Sequence, residues 1–203
     1  MNLMSVKNVK LVEKTVDFLL VNLIWFVSCL PVVTIFPATA AMFGVVRQQY
    51  LRKENSLGII KSYYSYFFQI LRQHRLLNMV WTLMGLIIFV DLIWIKTIEQ
   101  PFFEFLFSSF SYLFFNASLI MFSAIVHFET DSKGIVLNSA TIILSYPFKI
   151  LMVGITLYIF LITLLTFPAA VLFAASIYTL IVFSYCHSLF DRFAKRKVKM
   201  TLQ

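Results

Sequence analysis

The stretch SCLPVVTIFPATAAMFGVVRQQY, residues 28–50, decides how this chain folds. It is apolar enough to enter a membrane, but Pro31 and Pro37 interrupt it and a basic segment follows it directly. A proline removes a helical hydrogen bond and clashes with the preceding turn, so it is tolerated mainly in the first turn of a helix. The two prolines therefore predict a break within this apolar region.

Two interpretations of the break remain open. The apolar run extends from about Val16 to Val46, and one helix of that length would measure about 46 Å, which is too long to stand upright in a bilayer. In the first interpretation, a single tilted or kinked span gives five crossings. In the second, which we favour, helices 15–30 and 38–52 flank a turn and form a proline-broken hairpin, which gives six crossings.

The composition is that of an all-α integral membrane protein. Of the 203 residues, 61% are hydrophobic and 13% are charged, and the mean hydropathy is +0.88. Soluble domains are closer to half apolar. We therefore predict a single membrane domain over residues 1–203, a helical bundle of five to six membrane segments that leaves no room for a soluble catalytic domain.

Apolar runs of about 20 residues predict four further membrane segments, at residues 76–95, 105–126, 148–167 and 168–189. The last two are divided only at Pro168. An unbroken helix over both would be about 60 Å long, twice the hydrocarbon thickness. We therefore predict a tight C-terminal helical hairpin.

The distribution of charge predicts the topology. The 47–75 connection carries six basic residues against Glu54, and the 192–199 tail is basic, whereas the 96–104 link has one lysine and two glutamates. Basic connections stay in the cytoplasm. We therefore expect a multi-pass protein of the cell membrane with a cytoplasmic C-terminus. The net charge of +8 then reflects topology and contact with membrane lipids, not binding of nucleic acid.

Two cytoplasmic segments, 57–75 and 134–147, are predicted to be amphipathic helices. In the first, isoleucine, tyrosine and phenylalanine recur at helical spacing while lysine, glutamine and arginine fall mostly elsewhere. Such helices lie in the membrane interface or against a partner.

Three polar residues within predicted membrane segments are candidate functional residues: Asn22, Asp91 and Asn116. Polar residues at membrane depth either hydrogen-bond between helices or line a pathway. Both interpretations remain open for the asparagines. Asp91 lies near the outer end of its segment, where its side chain can reach water.

Small residues predict close helix contacts on the two helices that follow a Phe-Pro-Ala step. Ala40 and Gly44 form one small-xxx-small pair, and Ala170 and Ala174 form the other. Each pair serves either packing inside the bundle or an interface with a partner subunit. Pro31 and Pro37 join them as candidate docking or packing residues.

The sequence offers no pattern for catalysis, so we predict a protein that is not an enzyme and needs no cofactor or metal. His74, His127 and His187 are far apart, and we expect none of them to have a second ligand or a carboxylate at helical spacing on the same face. The sequence contains no glycine-rich phosphate loop, zinc-protease motif or nucleophile elbow. Both cysteines lie in apolar segments and are expected to be buried thiols.

Three stretches resemble the YesL family of bacterial membrane proteins. LPVVTIFPATAAMFGVVRQ, residues 30–48, is similar to the N-terminal motif of the family, with Phe36 where the family usually has glycine. YYSYFFQILRQHRLLNMVWTLMGLIIFVDL, residues 63–92, resembles its next segment and includes Asp91. HFETDSKGIVLNSATIILSYPFKILM, residues 127–152, resembles its later cytoplasmic stretch.

The resemblance implies an accessory role in sugar uptake, because such proteins are commonly encoded beside carbohydrate ABC importers and have no known active site. We expect a non-catalytic membrane subunit that associates with the permease subunits of an oligosaccharide ABC importer and stabilises or regulates them. The alternative, suggested by the broken helix, is a stand-alone small-solute transporter or channel, or a membrane sensor.

Overall fold

The computed structural model describes residues 3–51, 58–95, 100–128, 130–167 and 171–201. Every regular element in these ranges is helical, so the prediction of an all-α protein is confirmed. The helices are α1 (Leu3–Ser28), α2 (Ile35–Tyr50), α3 (Ile59–Gln73), α4 (Arg75–Trp94), α5 (Pro101–His127), α6 (Ser132–Ser145), α7 (Pro147–Thr166) and α8 (Val171–Thr201), with a short 3-10 helix at Val32–Thr34.

The apolar run breaks at its prolines, as predicted. Pro31 lies between the end of α1 and the 3-10 helix, and Pro37 is the third residue of α2, where its missing N–H leaves no helical bond unmade. The Thr34 hydroxyl donates to the carbonyl oxygen of Ser28 at 2.7 Å and fixes the turn. Helix α2 thus begins at Ile35, three residues before its predicted start, because Pro37 stands inside the first turn.

Helix α2 lies in the middle of the bundle and contacts α1, α3, α4, α5 and α8. Its side chains from Phe36 to Val46 are buried except Thr39, which is half-buried. Trp25 of α1 donates its indole N–H to the Thr39 hydroxyl at 3.2 Å, so α1 and α2 stay in contact beside the break. A helix that is apolar on all sides is found either in a protein core or in a membrane, and α2 lies in the core of this bundle.

An aromatic cluster surrounds the start of α2. The Phe36 ring meets Trp81 of α4 and Phe122 of α5 edge to face, with centroids 5.5 and 5.3 Å apart. This geometry is favourable for aromatic pairs. Phe36, at the position where the YesL family usually has glycine, therefore packs in the core and does not form the turn itself.

The C-terminal hairpin is also confirmed. Phe160 of α7 stacks on Tyr178 of α8 with centroids 4.3 Å apart, and Lys149 Nζ donates to Ser188 Oγ at 3.1 Å. Later residues of α7 therefore pair with earlier residues of α8, which is an antiparallel arrangement. Pro168, where the turn was predicted, lies outside the described residues.

Three described helices, α4, α5 and α7, are long and apolar enough to cross a membrane, and they match predicted segments to within four residues. A shorter apolar helix, Thr15–Ser28, forms part of α1. Most of the α4 and α7 surface is exposed in the isolated chain, as a lipid-facing surface would be. The protein is an all-helical membrane protein, and the number of crossings stays a prediction.

Two helices are longer than predicted. Helix α1 begins at Leu3, not near residue 15, and α8 continues to Thr201, not to residue 189. Both extensions are rich in lysine and lack glycine and proline. Lysine and arginine are good helix formers, so a helix can continue past its apolar segment into such a stretch.

The two predicted amphipathic segments form helices of different character. Helix α3 buries Ile59, Tyr63, Phe67 and Ile70 at its apolar face and contacts α2 most extensively. Helix α6 differs from the predicted pattern because it is apolar on more than one face. It buries Ile135, Ser139 and Ile142 while it exposes Val136, Leu137 and Leu144.

One end of the bundle collects the basic residues. The His74 ring nitrogen Nδ1 lies 2.8 Å from Ser132 Oγ, which joins the corner between α3 and α4 to the corner between α5 and α6. The rings of His127 and Phe190 lie 4.9 Å apart, so the end of α5 meets α8 nearby. We call this region the basic end. The contacts at this end, and the residues next to them in the chain, place six basic residues in it: Arg47, Arg72, Arg75, Lys133, Lys149 and Arg192.

Candidate functional site

Asn22 connects α1 to α8. Its Oδ1 accepts a hydrogen bond of 2.7 Å from the backbone N–H of Ser176, and the Ser176 hydroxyl lies 3.3 Å from the carbonyl oxygen of Phe18, to which it donates. Asn22 and Ser176 are both fully buried. Of the two interpretations, this geometry favours an interhelical hydrogen bond over a lining of a pathway.

Asn116 lies between α5 and α7. Its Nδ2 donates to the carbonyl oxygen of Ile150 at 3.3 Å, while its buried Oδ1 has no hydrogen-bond partner among the described residues. Gly154 of α7 lets the two helices approach, since a Cβ at that position would lie 2.6 Å from Asn116 Nδ2 and would also clash with Tyr112. Asn116 is therefore also part of a close helix contact.

Asp91 is half-buried near the end of α4 that lies away from the basic end. It lines a shallow cavity of about 330 Å³ with Val90, Trp94, Ile95 and Phe107. Asn22 contacts α8 and Asn116 contacts α7, so the structure does not gather these three polar residues into one site.

The candidate packing residues divide into exposed and buried positions. Pro31 is exposed, whereas Pro37 is buried and is unavailable for docking a partner, contrary to one of its predicted roles. Ala40 and Gly44 are also buried, and a Cβ on Gly44 would lie 2.8 Å from the Tyr66 ring of α3. Packing within the chain accounts for this pair.

The second small-residue pair is only partly described. Ala174 is half-buried and lines a cleft between α7 and α8 with Thr156, Phe160 and Tyr178. Ala170 lies outside the described residues.

A group of polar side chains at the basic end was not predicted from the sequence. The rings of His127 and His187 lie 5.6 Å apart, and His187 Nδ1 lies 3.3 Å from Asp191 Oδ2. Arg47, from the last turn of α2, lies close enough to act electrostatically on His127. We call Arg47, His127, His187 and Asp191 the polar cluster.

The polar cluster corrects the prediction that no histidine has a carboxylate at helical spacing. His187 and Asp191 are four residues apart on α8, which places them on the same face. That spacing was the signal available in the sequence. The contact of His127 with His187 joins residues sixty positions apart on two helices, so periodicity within one helix does not reveal it.

The polar cluster has unused hydrogen-bonding capacity. Arg47 Nε and His127 Nδ1 are buried without a hydrogen-bond partner in the part of the chain that the structure describes, as are the side-chain oxygens of Gln48 and Gln49 in the same turn of α2. Buried polar atoms without partners are costly. The described residues contain no group of three or more metal-ligating side chains suited to a metal ion.

Comparison with known proteins addresses the family. Residues 18–92 match the sequence model of a family described as "Protein of unknown function, DUF624". The match includes all of α2, α3 and the break at Pro31. The DUF624 family is YesL-like, so the match confirms the predicted resemblance to the YesL family.

The DUF624 match is accompanied by a distant relative. The chain is 27% identical over 181 residues to a Bacillus subtilis (strain 168) protein named "Uncharacterized protein YteU", covering 86% of this chain and 79% of that protein. No solved structure matches the chain significantly. The DUF624 description assigns no activity, so the comparisons indicate no catalytic family.

Proposed function

We propose that the protein is a non-catalytic accessory subunit of an oligosaccharide ABC importer, located in the cell membrane with its C-terminus in the cytoplasm. In this role it stabilises or regulates the permease. The importer class comes from the YesL resemblance. The position of α2 supports the proposal that the protein does not itself transport a solute. The buried residues of α2 occupy the middle of the bundle.

The filled centre argues against a solute pathway through the described part of the chain. Phe36, Phe43 and Val46 are at most 1% exposed, and the alanines between them are fully buried. A pathway for a polar solute needs polar or charged groups along its length. Here Asn22 and Asn116 hydrogen-bond to neighbouring helices, and Asp91 stands apart from both, near the end of α4 that lies away from the basic end.

An exposed apolar corner is the proposed docking element. Leu30, Val32 and Val33 are 70, 47 and 56% exposed, and Pro31 between them is exposed as well. The Thr34 hydroxyl holds the corner by its bond to Ser28. A rigid apolar surface loses little conformational entropy on binding, which suits it to contact a partner helix.

Site-specific photocrosslinking tests this proposal in native membranes. A photoreactive phenylalanine analogue at Val33 should crosslink to permease subunits, which mass spectrometry would identify. The matched control places the same analogue at Leu83 of α4, which is 61% exposed. A pull-down in mild detergent should recover the same subunits in a fixed ratio. Recovery of the protein alone, with no Val33 crosslink to another protein, would refute the proposal.

The alternative, a stand-alone small-solute transporter, channel or membrane sensor, draws support from the polar cluster. Arg47 and His127 place buried polar atoms without described partners at one end of the bundle. A transporter should move solute across reconstituted vesicles that contain only this protein. Flux that is lost when His127 is replaced by glutamine would favour the alternative, and absence of flux from every tested solute class would favour the accessory role.

A further inference from the structure

A cavity of about 900 Å³ opens at the basic end, where the corner between α3 and α4 faces the corner between α5 and α6. Its buried floor includes Ile125 and His74, and its exposed rim includes three basic residues. We call this cavity the basic groove. The residues on which its chemistry depends are Arg72, His74, Arg75, Asp131, Ser132 and Lys133.

The described lining of the basic groove has an excess of positive charge. The lining contains three basic residues, Arg72, Arg75 and Lys133, and a single described carboxylate, that of Asp131. Glu129 lies outside the described residues. Asp131 already has a structural role, because its Oδ1 accepts a 3.2 Å hydrogen bond from the Gly134 N–H and caps α6. Two guanidinium groups and an ammonium group are a donor set suited to phosphate oxygens.

Two further features favour an anion in the basic groove. The hydrogen bond between His74 and Ser132 holds the two corners together, so the basic side chains project from a fixed frame. Helix α6 begins at Ser132 in the groove wall, and the first N–H groups of a helix carry partial positive charge. The basic groove therefore has a positive electrostatic potential without any bound ligand.

An exposed aromatic surface adjoins the basic groove along α3. Tyr64 and Phe68 stack with centroids 6.3 Å apart and are 39 and 50% exposed. They line a second cavity, of about 590 Å³, that shares Arg72 with the basic groove. A cationic cavity that continues into an exposed aromatic surface matches an amphiphile with an anionic head better than a fully soluble anion.

We propose that the basic groove binds the phosphate headgroup of an anionic phospholipid, with Arg72, Arg75 and Lys133 around the phosphate. The glycerol and upper acyl region then lies against Tyr64 and Phe68. Aromatic and basic side chains are the usual pair at the level of lipid headgroups. The proposal is independent of the importer role, because it concerns a lipid site of this chain alone.

Native mass spectrometry of the full chain in detergent tests the proposal. Phosphatidylglycerol should remain bound in preference to phosphatidylcholine. The double substitution Arg72→Gln with Arg75→Gln should weaken phosphatidylglycerol binding about tenfold or more, since each removes a charged hydrogen bond. Arg192→Gln is the matched control, because Arg192 is exposed on α8 and is not part of the groove lining. It should leave binding unchanged.

A second variant distinguishes a lipid from a soluble anion. Phe68→Ala should weaken phosphatidylglycerol binding several-fold without changing the protection that inorganic phosphate gives against thermal unfolding. Unchanged lipid binding in the double arginine variant, with its unfolding temperature preserved, would overturn the proposal. Two results together would also overturn the proposal: inorganic phosphate stabilises the protein as strongly as phosphatidylglycerol does, and Phe68→Ala leaves lipid binding unchanged.

Discussion

Helices α2 and α4 are both apolar, but they occupy opposite environments. Helix α2 is buried on nearly all sides in the middle of the bundle, whereas α4 buries only Asn78, Thr82 and Ile88 and exposes most of its bulky side chains. In α2 the buried positions include four small residues, which let neighbouring helices approach. These residues are Ala38, Ala40, Ala41 and Gly44.

The comparison shows that an apolar helix in a membrane protein can either pack inside the bundle or present its surface to lipid. Lipid tails are as apolar as leucine, so hydrophobicity alone does not draw a helix into the centre. Close packing of small residues does so, and bulky residues such as Leu83 and Phe89 serve equally well facing lipid. The small residues of α2 therefore favour its central position, where large side chains such as Phe36 and Phe43 also pack.

The sharpest test compares one glycine from each helix. Gly44→Ala should destabilise the protein by about 1–3 kcal/mol, because its Cβ would lie 2.8 Å from the Tyr66 ring, in an overpacked contact. Gly85→Ala in α4 should be neutral or stabilising by up to about 1 kcal/mol, since its Cβ would lie 3.9 Å from Phe114. Thermal unfolding in detergent, followed by tryptophan fluorescence, measures both changes.

A compensating substitution strengthens that test. Tyr66→Ala removes the ring that the new methyl group would meet, so the loss from Gly44→Ala should be smaller in the double variant than in the wild-type background. Equal unfolding temperatures for Gly44→Ala and Gly85→Ala would show that α2 is not packed as tightly as the structure places it.

Gly154 extends the comparison to α7, which, like α4, exposes most of its surface. Gly154→Ala should still destabilise the protein by about 1–2 kcal/mol, because the new Cβ would meet Asn116 and Tyr112 of α5. The matched control is Ile155→Ala, at the neighbouring position, which is 44% exposed. The prediction fails if the glycine substitution costs no more than the control in the same unfolding assay.

Much of the fold could be predicted from local sequence signals. Pro31 and Pro37 gave the break because proline is excluded from helix interiors, and three apolar runs gave α4, α5 and α7 because bilayer thickness fixes their length. The extent of α1 and α8 was less accessible, since good helix formers continued beyond the apolar segments.

The candidate site was less predictable, because it depends on contacts between distant helices. Ser176 as the partner of Asn22, and His187 as the neighbour of His127, come from packing that no local period encodes. The four-residue spacing of His187 and Asp191 was a local signal from which their contact could have been predicted. The basic groove likewise required two corners from separate parts of the chain to meet, although the charge pattern placed both on the same side.

Asn22 offers a smaller effect than the glycines. Asn22→Leu removes the acceptor for the Ser176 N–H and should cost about 0.5–2 kcal/mol, the range of polar contacts between membrane helices. Leu23→Ala is the control, because Leu23 is next to Asn22 but is 55% exposed, so its truncation should cost less than the loss of the buried hydrogen bond. If Asn22 instead serves a pathway, Asn22→Leu would leave the unfolding temperature unchanged and would alter solute flux.

The smallest expected effect is the pH dependence contributed by His74 at the basic end. Burial lowers the pKa of His74 from its ordinary value of 6.5, and the nearby Asp131 carboxylate opposes part of that change. The unfolded chain therefore takes up this proton more readily than the folded one. The stability contributed by a neutral His74 is fully present above pH 6.5 and is lost as the pH falls below that value towards the lowered folded-state pKa.

His74→Asn isolates this contribution, because asparagine can still meet Ser132 but does not titrate. The unfolding temperature of the wild type should fall more between pH 7.5 and about 5 than that of the variant. The difference between the two curves removes the titration of other groups, Asp131 included. Parallel curves would mean that the pKa of His74 is the same in the folded protein as in the unfolded chain. The two corners of the basic end would then not bury it.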